Sequence, residues 1–237
     1  MTNSLSLFLR ALIPVMLLSV LMPAEAQTLT ADDYETTSVG GWKVHVEKSL
    51  ADHPRRAEAI ALLEKKLLAV RKAVPSAVVP KLRQVPIWLS RDAARGAAYH
   101  VSAGWLGENG RVVEMEKAIE IQNIDHFIDW APVQPWMMLH ELAHAYHDRY
   151  LPLGYENGPV KRAYKRAVES GDYRRVLYHD RTRVKHYGLN NQMEFFAEAT
   201  EAYFGKNDFQ PFNKRQLRAF DSTAYRMVER AWGIKSR

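Results

Sequence analysis

Trp136-Met-Met-Leu-His-Glu-Leu-Ala-His-Ala-Tyr-His147 decides how the rest of the chain is read. It follows Pro132 and Pro135, contains no glycine or proline, and predicts a helix over 136–147. Inside it, His140-Glu141-Leu142-Ala143-His144 is an H-E-x-x-H pattern. Residues four apart on a helix lie about 40° apart around its axis, so both imidazoles can aim at one tetrahedral zinc ion. Glu141, one position on, projects beside them and reaches a water rather than the metal, which is the placement of a general base. The chain has 9 His and no Cys. Thiolate zinc sites, disulfide scaffolds, iron–sulfur clusters and cysteine nucleophiles are thereby excluded, and histidine supplies the good nitrogen ligands.

A third ligand has to come from elsewhere. The extension H-E-x-x-H-x-x-G-x-x-H needs Gly at 147 and His at 150, where this chain has His147 and Tyr150. The metzincin pattern is therefore excluded. A second predicted helix, Asn191 to Phe204, carries Glu194-Phe-Phe-Ala-Glu198, two carboxylates at i and i+4. One can ligate the metal while the other holds the far nitrogen of a ligand histidine. Both sit among Met193, Phe195, Phe196 and Phe204, where a carboxylate is costly unless a cation or hydrogen-bond donors compensate it. The competing reading is a solvated stripe, Glu194–Glu198–Glu201, on an amphipathic helix.

Taken together, His140-Glu-Leu-Ala-His144 and Tyr187-Gly-Leu-Asn-Asn-Gln-Met-Glu-Phe-Phe-Ala-Glu198 resemble the gluzincin metallopeptidases, specifically the anthrax lethal factor-like catalytic domain. The resemblance covers residues 85–205. It implies one Zn²⁺ per chain held by His140, His144 and Glu194, with Glu141 as general base. It implies Tyr187 as the donor that steadies the oxyanion or protonates the leaving amine, and Glu198 as an acid behind the ligands. The toxin's large accessory domains are missing here, so toxin-like targets are not implied. The block Glu201-Ala-Tyr-Phe-Gly205 with Asn207–Phe212 resembles small secreted members from bacteria and fungi. His147 shares the face of His140 two turns on and is a candidate substrate or supporting residue. His179 and His186, near Tyr187, are alternative oxyanion donors, with the adjacent His186 the first of the two, and Trp105 and Tyr99 are candidates for lining a cleft.

Around this centre the chain reads as one globular domain. Of its 237 residues, 47% are hydrophobic and 25% charged, the proportions of a folded domain rather than of a disordered or collagen-like chain. Residues 1–26 have the features of a signal peptide: a weakly cationic start, the apolar run Ala11–Met22 and the small-residue pattern Ala24-Glu-Ala26. The run is well short of the ~20 residues that span a bilayer. The expectation is a mature protein from near Gln27, periplasmic or secreted, with no stable membrane span after cleavage.

Residues 27–40 read as a loosely ordered leader. Strands are expected at Trp42–Val46, Val85–Leu89 (an edge strand, from Pro86), Ala97–Val101 and within Val112–Asn123. Helices are expected from Pro54 to Val74, from Pro159 to Ser170, and around 214–220 and 223–232, with a hairpin near 179–182. Sheet first and helices later is an α+β order. The expected architecture is zincin-like: a small twisted sheet and the 136–147 helix in an upper lobe, and a mainly helical lower lobe. A peptide or protein substrate would lie along Lys117–Asn123 as an edge strand.

Between Lys161 and Lys185 nine basic residues face three acidic ones, which equals the whole net charge of +6. This segment is either a solvated face or a patch for an acidic envelope polymer; nucleic acid is not an expected partner. Two functions follow. The first is a secreted zinc metallopeptidase. The alternative is a zinc-stabilised, catalytically weak envelope-binding protein that uses residues 161–185.

Overall fold

The computed structural model describes residues 29–234, so the expected signal peptide lies outside the described residues. The chain order is β1 (Tyr34–Val39), β2 (Trp42–Glu47), α1 (Arg56–Ala73), α2 (Val79–Leu82), β3 (Ile87–Leu89), β4 (Asp92–Tyr99), α3 (Ala103–Glu108), β5 (Ile119–Asn123), α4 (Ile124–Trp130) and α5 (Met137–Tyr150). The second half runs α6 (Gly158–Ser170), β6 (Val176–Leu177), β7 (Arg183–Val184), α7 (Gln192–Phe204), α8 (Lys214–Phe220) and α9 (Ser222–Ala231). This is an α+β fold. No helix among the described residues is long and apolar enough to cross a membrane.

The main sheet has the order β1-β2-β3-β5-β4. Its outer pairs are antiparallel, while β2–β3 and β3–β5 are parallel. Alternation assigns its faces. Val44, Val46, Ile87, Leu89, Ile119 and Ile121 point into the main core, where α1 and α5 supply Leu63, Leu67, Met138 and Leu142. Each fully buried leucine there contributes about 1.5–3 kcal/mol over an exposed one. On the opposite face, Trp88 joins Tyr34, Leu106, Val112 and Met115 in a smaller cluster. Glu120, also on that face, is buried but satisfied: its oxygens take Ser90 Oγ at 2.6 Å, His100 Nε2 at 2.9 Å and the Arg111 guanidinium.

Four sequence expectations are corrected. First, residues 34–39 are ordered as β1, joined to β2 by the two-residue turn Gly40-Gly41, with φ of +59° and +90°. Such a turn needs positive φ at both positions, which glycine adopts freely. The polarity of Glu35–Ser38 reflects an exposed edge strand rather than a loose leader. Second, β3 is interior, between β2 and β5. Pro86 precedes the strand and contributes only its carbonyl, which accepts from Ile119 N at 2.9 Å. Third, of residues 112–123 only 119–123 form a strand; 103–108 are helical and 113–115 a single tight turn. Fourth, β5 has neighbours on both sides, so it offers no free edge to a substrate. The free edge on that side of the sheet is β4, which lies against α5.

α5 lies between the sheet and the helices α6–α9, with α7 packed along it. The close approach of these two helices depends on Gly205, directly after α7. A Cβ there would lie 2.2 Å from Cε2 of Trp136, the residue before α5.

Candidate metal centre

α5 is buried along almost its whole length, from Met137 to His147. His140 and His144 stand one turn apart with ring centroids 4.7 Å from each other. α7 begins at an Asn191 cap whose side chain accepts from Glu194 N at 2.8 Å, which fixes Glu194 in the first turn. From there Glu194 Oε2 lies 3.0 Å from His140 Nε2 and 3.3 Å from His144 Nε2. Ligand atoms 2.0–2.1 Å from a tetrahedral zinc lie about 3.3 Å apart. The two distances from Glu194 match that spacing, all three donors lie within 4.8 Å of one another, and two imidazole nitrogens with one carboxylate oxygen suit the chemistry of such an ion.

The electrostatics follow from this crowding. Burial alone would raise the Glu194 carboxyl, but hydrogen bonds to His140 and His144 hold it far below the usual carboxylate range. Burial alone would lower His140, yet its hydrogen bonds to Glu194 and Glu201 raise it well above an ordinary imidazole. Behind the ligands, His140 Nδ1 lies 2.7 Å from Glu201 Oε1 and 3.6 Å from Glu198 Oε1. Glu198, Glu201 and Asp208 are all buried. Burial and the charge of Glu201 push Glu198 well up and Asp208 to about 6.

Glu141 sits beside the cluster, and its Oε2 accepts from the backbone N of Tyr99 on β4 at 2.9 Å. The Tyr99 hydroxyl and Lys117 Nζ both donate to Asp148 Oδ2, at 2.7 and 2.8 Å, fastening that end of β4 to the last turns of α5. Tyr187 opens a short turn, Tyr187–Leu189, with 45% of its surface exposed and its ring 6.4 Å from that of His140. Burial and the charge of Glu194 raise its phenol, so the hydroxyl keeps its proton and can donate.

Cavities of about 350 and 310 Å³ flank the cluster, and Ala97, His140, Glu141 and Tyr187 line both. The cluster of His140, His144 and Glu194, which could hold a metal ion, therefore stands at the middle of a groove bordered by β4. Trp130 and Phe209 line one end, and Tyr155 and Met193 the other.

The structure brings together His140, Glu141, His144, Tyr187, Glu194 and Glu198. It places His147 and His186 behind the cluster, where neither lines the groove. His147 is fully buried between Tyr155 and Phe196, and neither ring nitrogen has a partner. Burial and the neighbouring His144 depress it to about 4. His186 Nδ1 accepts from Gly188 N at 2.9 Å, which leaves the ring proton on Nε2, 4.0 Å from Glu198 Oε2. Burial depresses its pKa to about 3. Tyr99 lines the groove, whereas Trp105 stacks on His100 outside it.

Glu201, read in the sequence only as part of a polar stripe, is the nearer partner of His140. Its signal was spacing: it follows Glu194 by seven residues, two helical turns, and so returns to the same face. Comparison with family models, curated proteins and solved structures gives no match for this chain.

Proposed function

We propose that this chain is a zinc-dependent peptidase with a gluzincin-type site, in which His140, His144 and Glu194 hold the ion. The observation that carries the reading is the convergence of their three donor atoms beside Glu141, in the middle of an open groove. When bound, zinc supplies a Lewis acid that acidifies water and polarises a carbonyl.

The chain's own groups do the rest. The Glu141 carboxylate takes the proton from water as the oxygen adds to the scissile carbonyl carbon, then delivers it to the amine as the C–N bond breaks. Its hydrogen bond from Tyr99 N leaves the other oxygen for this transfer. Tyr187, on the opposite wall, donates its phenolic hydrogen to the carbonyl oxygen as negative charge develops there. An extended peptide pairs with the free edge of β4. Within this reading the sheet and α5 form the upper lobe of a zincin, α6–α9 the lower, and the protein works outside the cytoplasm.

A peptide-library digest tests the proposal, run with zinc, with chelator, and with Glu141→Gln. Expected is cleavage by the zinc form, lost with chelator and lowered about 10²–10⁴-fold in the variant. Zinc retention without turnover in the wild type overturns the peptidase reading in favour of a zinc-stabilised binding protein.

A further inference from the structure

α6 and α9 pack side by side, and each buries small or apolar residues: Ala163 and Ala167 from one, Ala224, Met227 and Val228 from the other. Their outer rims carry Arg162 and Arg166 on α6, and Arg226 and Arg230 on α9, each pair at i and i+4. These four arginines line a single groove of about 220 Å³, walled by Pro159, Ala163, Thr223 and Met227. The groove shares no lining residue with the one at the candidate metal centre.

The convergence of four arginines on one groove separates them from an ordinary solvated face. Lys161 and Lys165, on the same helix, are matched to Glu156 at 2.6 Å and Glu169 at 3.7 Å. None of the four arginines forms an ion pair with a carboxylate among the described residues. Like charges at i and i+4 are destabilising on a helix, and here two such pairs face each other across one groove. Only two of the nine basic residues between 161 and 185 take part. The other half of the site comes from α9, so the segment alone is not the charged unit.

We infer that the groove between α6 and α9 is a binding site for a compact, multiply charged phosphate group. Guanidinium forks match tetrahedral oxyanions in bidentate fashion, and arginine rather than lysine occupies all four positions. The groove of about 220 Å³ has room for a compact anion among the four guanidinium groups. The diphosphate class suits this size and charge, either free or as part of a phosphate-bearing chain crossing the open groove. This site stands independently of the peptidase reading.

Titration calorimetry on the full chain at low ionic strength tests it, with pyrophosphate as the free anion and long-chain polyphosphate as the polymer. Three proteins are compared: wild type, Arg162→Gln/Arg226→Gln and Arg162→Lys/Arg226→Lys. Expected is saturable 1:1 binding of pyrophosphate, weakened at least tenfold by the glutamine pair and several-fold by the lysine pair. Zinc content and thermal midpoint should stay unchanged. Polyphosphate that binds tighter than pyrophosphate through the same arginines identifies the source as polymeric; the reverse identifies a free anion. Absence of saturable pyrophosphate binding overturns the inference. So does binding that survives the glutamine pair, or a lysine pair that binds like wild type, which would reduce the site to plain surface charge.

Discussion

His140 Nδ1 and Glu201 Oε1 lie 2.7 Å apart, while the oxygen of Glu198 nearest that nitrogen is 3.6 Å away. A carboxylate in hydrogen-bond contact with the far nitrogen of a ligand histidine fixes its tautomer and raises its basicity. Glu201 is the residue placed to do this. Glu201→Gln should therefore weaken zinc binding about 10–100-fold, the range for losing such a partner, and Glu198→Gln should weaken it less. Competition with a calibrated chelator checks the order. Equal losses, or the reverse order, would return the role to Glu198.

Tyr187 and His186 are adjacent in sequence but face different surroundings. The phenol lines the groove, whereas His186 is 2% exposed and holds the turn through Gly188 N. Tyr187→Phe should leave zinc affinity nearly unchanged and lower kcat roughly 10²–10³-fold, with little effect on KM. His186→Ala should act through the turn instead, costing thermal stability along with a smaller part of kcat. If His186→Ala costs more kcat than Tyr187→Phe without loss of stability, the oxyanion donor is the histidine.

Acid should destabilise the fold through its neutral buried histidines. An unfolded imidazole takes up its proton near 6.5, but His147 does so only near 4 and His186 near 3 in the folded chain. Between those values the unfolded state binds more protons, so the contribution of these two histidines to stability is full above about 6.5 and falls as pH drops toward 4. Each histidine contributes at most ~1.4 kcal/mol per pH unit. His147→Phe, which suits its apolar surroundings, should remove about half of this dependence. Urea midpoints at pH 7 and pH 5 decide the matter: an equal acid loss in variant and wild type would acquit His147.

Gly205 tests how tightly α5 and α7 are held together. Alanine there forces a methyl group into the Trp136 indole. Overpacking of this kind costs about 1–3 kcal/mol, or roughly 2–12 °C in Tm for a chain of this size. Gly107→Ala is the control, because its Cβ would meet Val113 Cγ1 at an ordinary 3.6 Å. If both variants melt like wild type, the Trp136 contact is easily relieved.

The helices were the legible part of the sequence. α1, α5, α6 and α7 follow from apolar spacing and from proline or asparagine at their starts, to within a few residues. The grouping of His140, His144 and Glu194 was legible because i, i+4 spacing on a helix is a local geometric fact. The sheet was not. Strand order depends on contacts distant in sequence, so nothing near 117–123 marked β5 as interior or β4 as the edge. β1 was hidden because an edge strand with one solvated face has the composition of a loop. The choice between Glu198 and Glu201 turns on the rotation of α7 against α5, which side-chain packing sets and a motif does not encode.

The bond from Tyr99 N to Glu141 has one more consequence. Along β4, Ala98 and His100 direct their backbone groups toward β5 and the loop before it, so those of Ala97 and Tyr99 face the open side. The Tyr99 amide is already taken by the glutamate. A chain that adds to this edge can therefore exchange a full pair of backbone hydrogen bonds at Ala97, whereas at Tyr99 only the carbonyl is left to it. The carboxylate thus occupies one rung of this edge's ladder, and a strand that took the full pair at Tyr99 would have to break the anchor of Glu141 first.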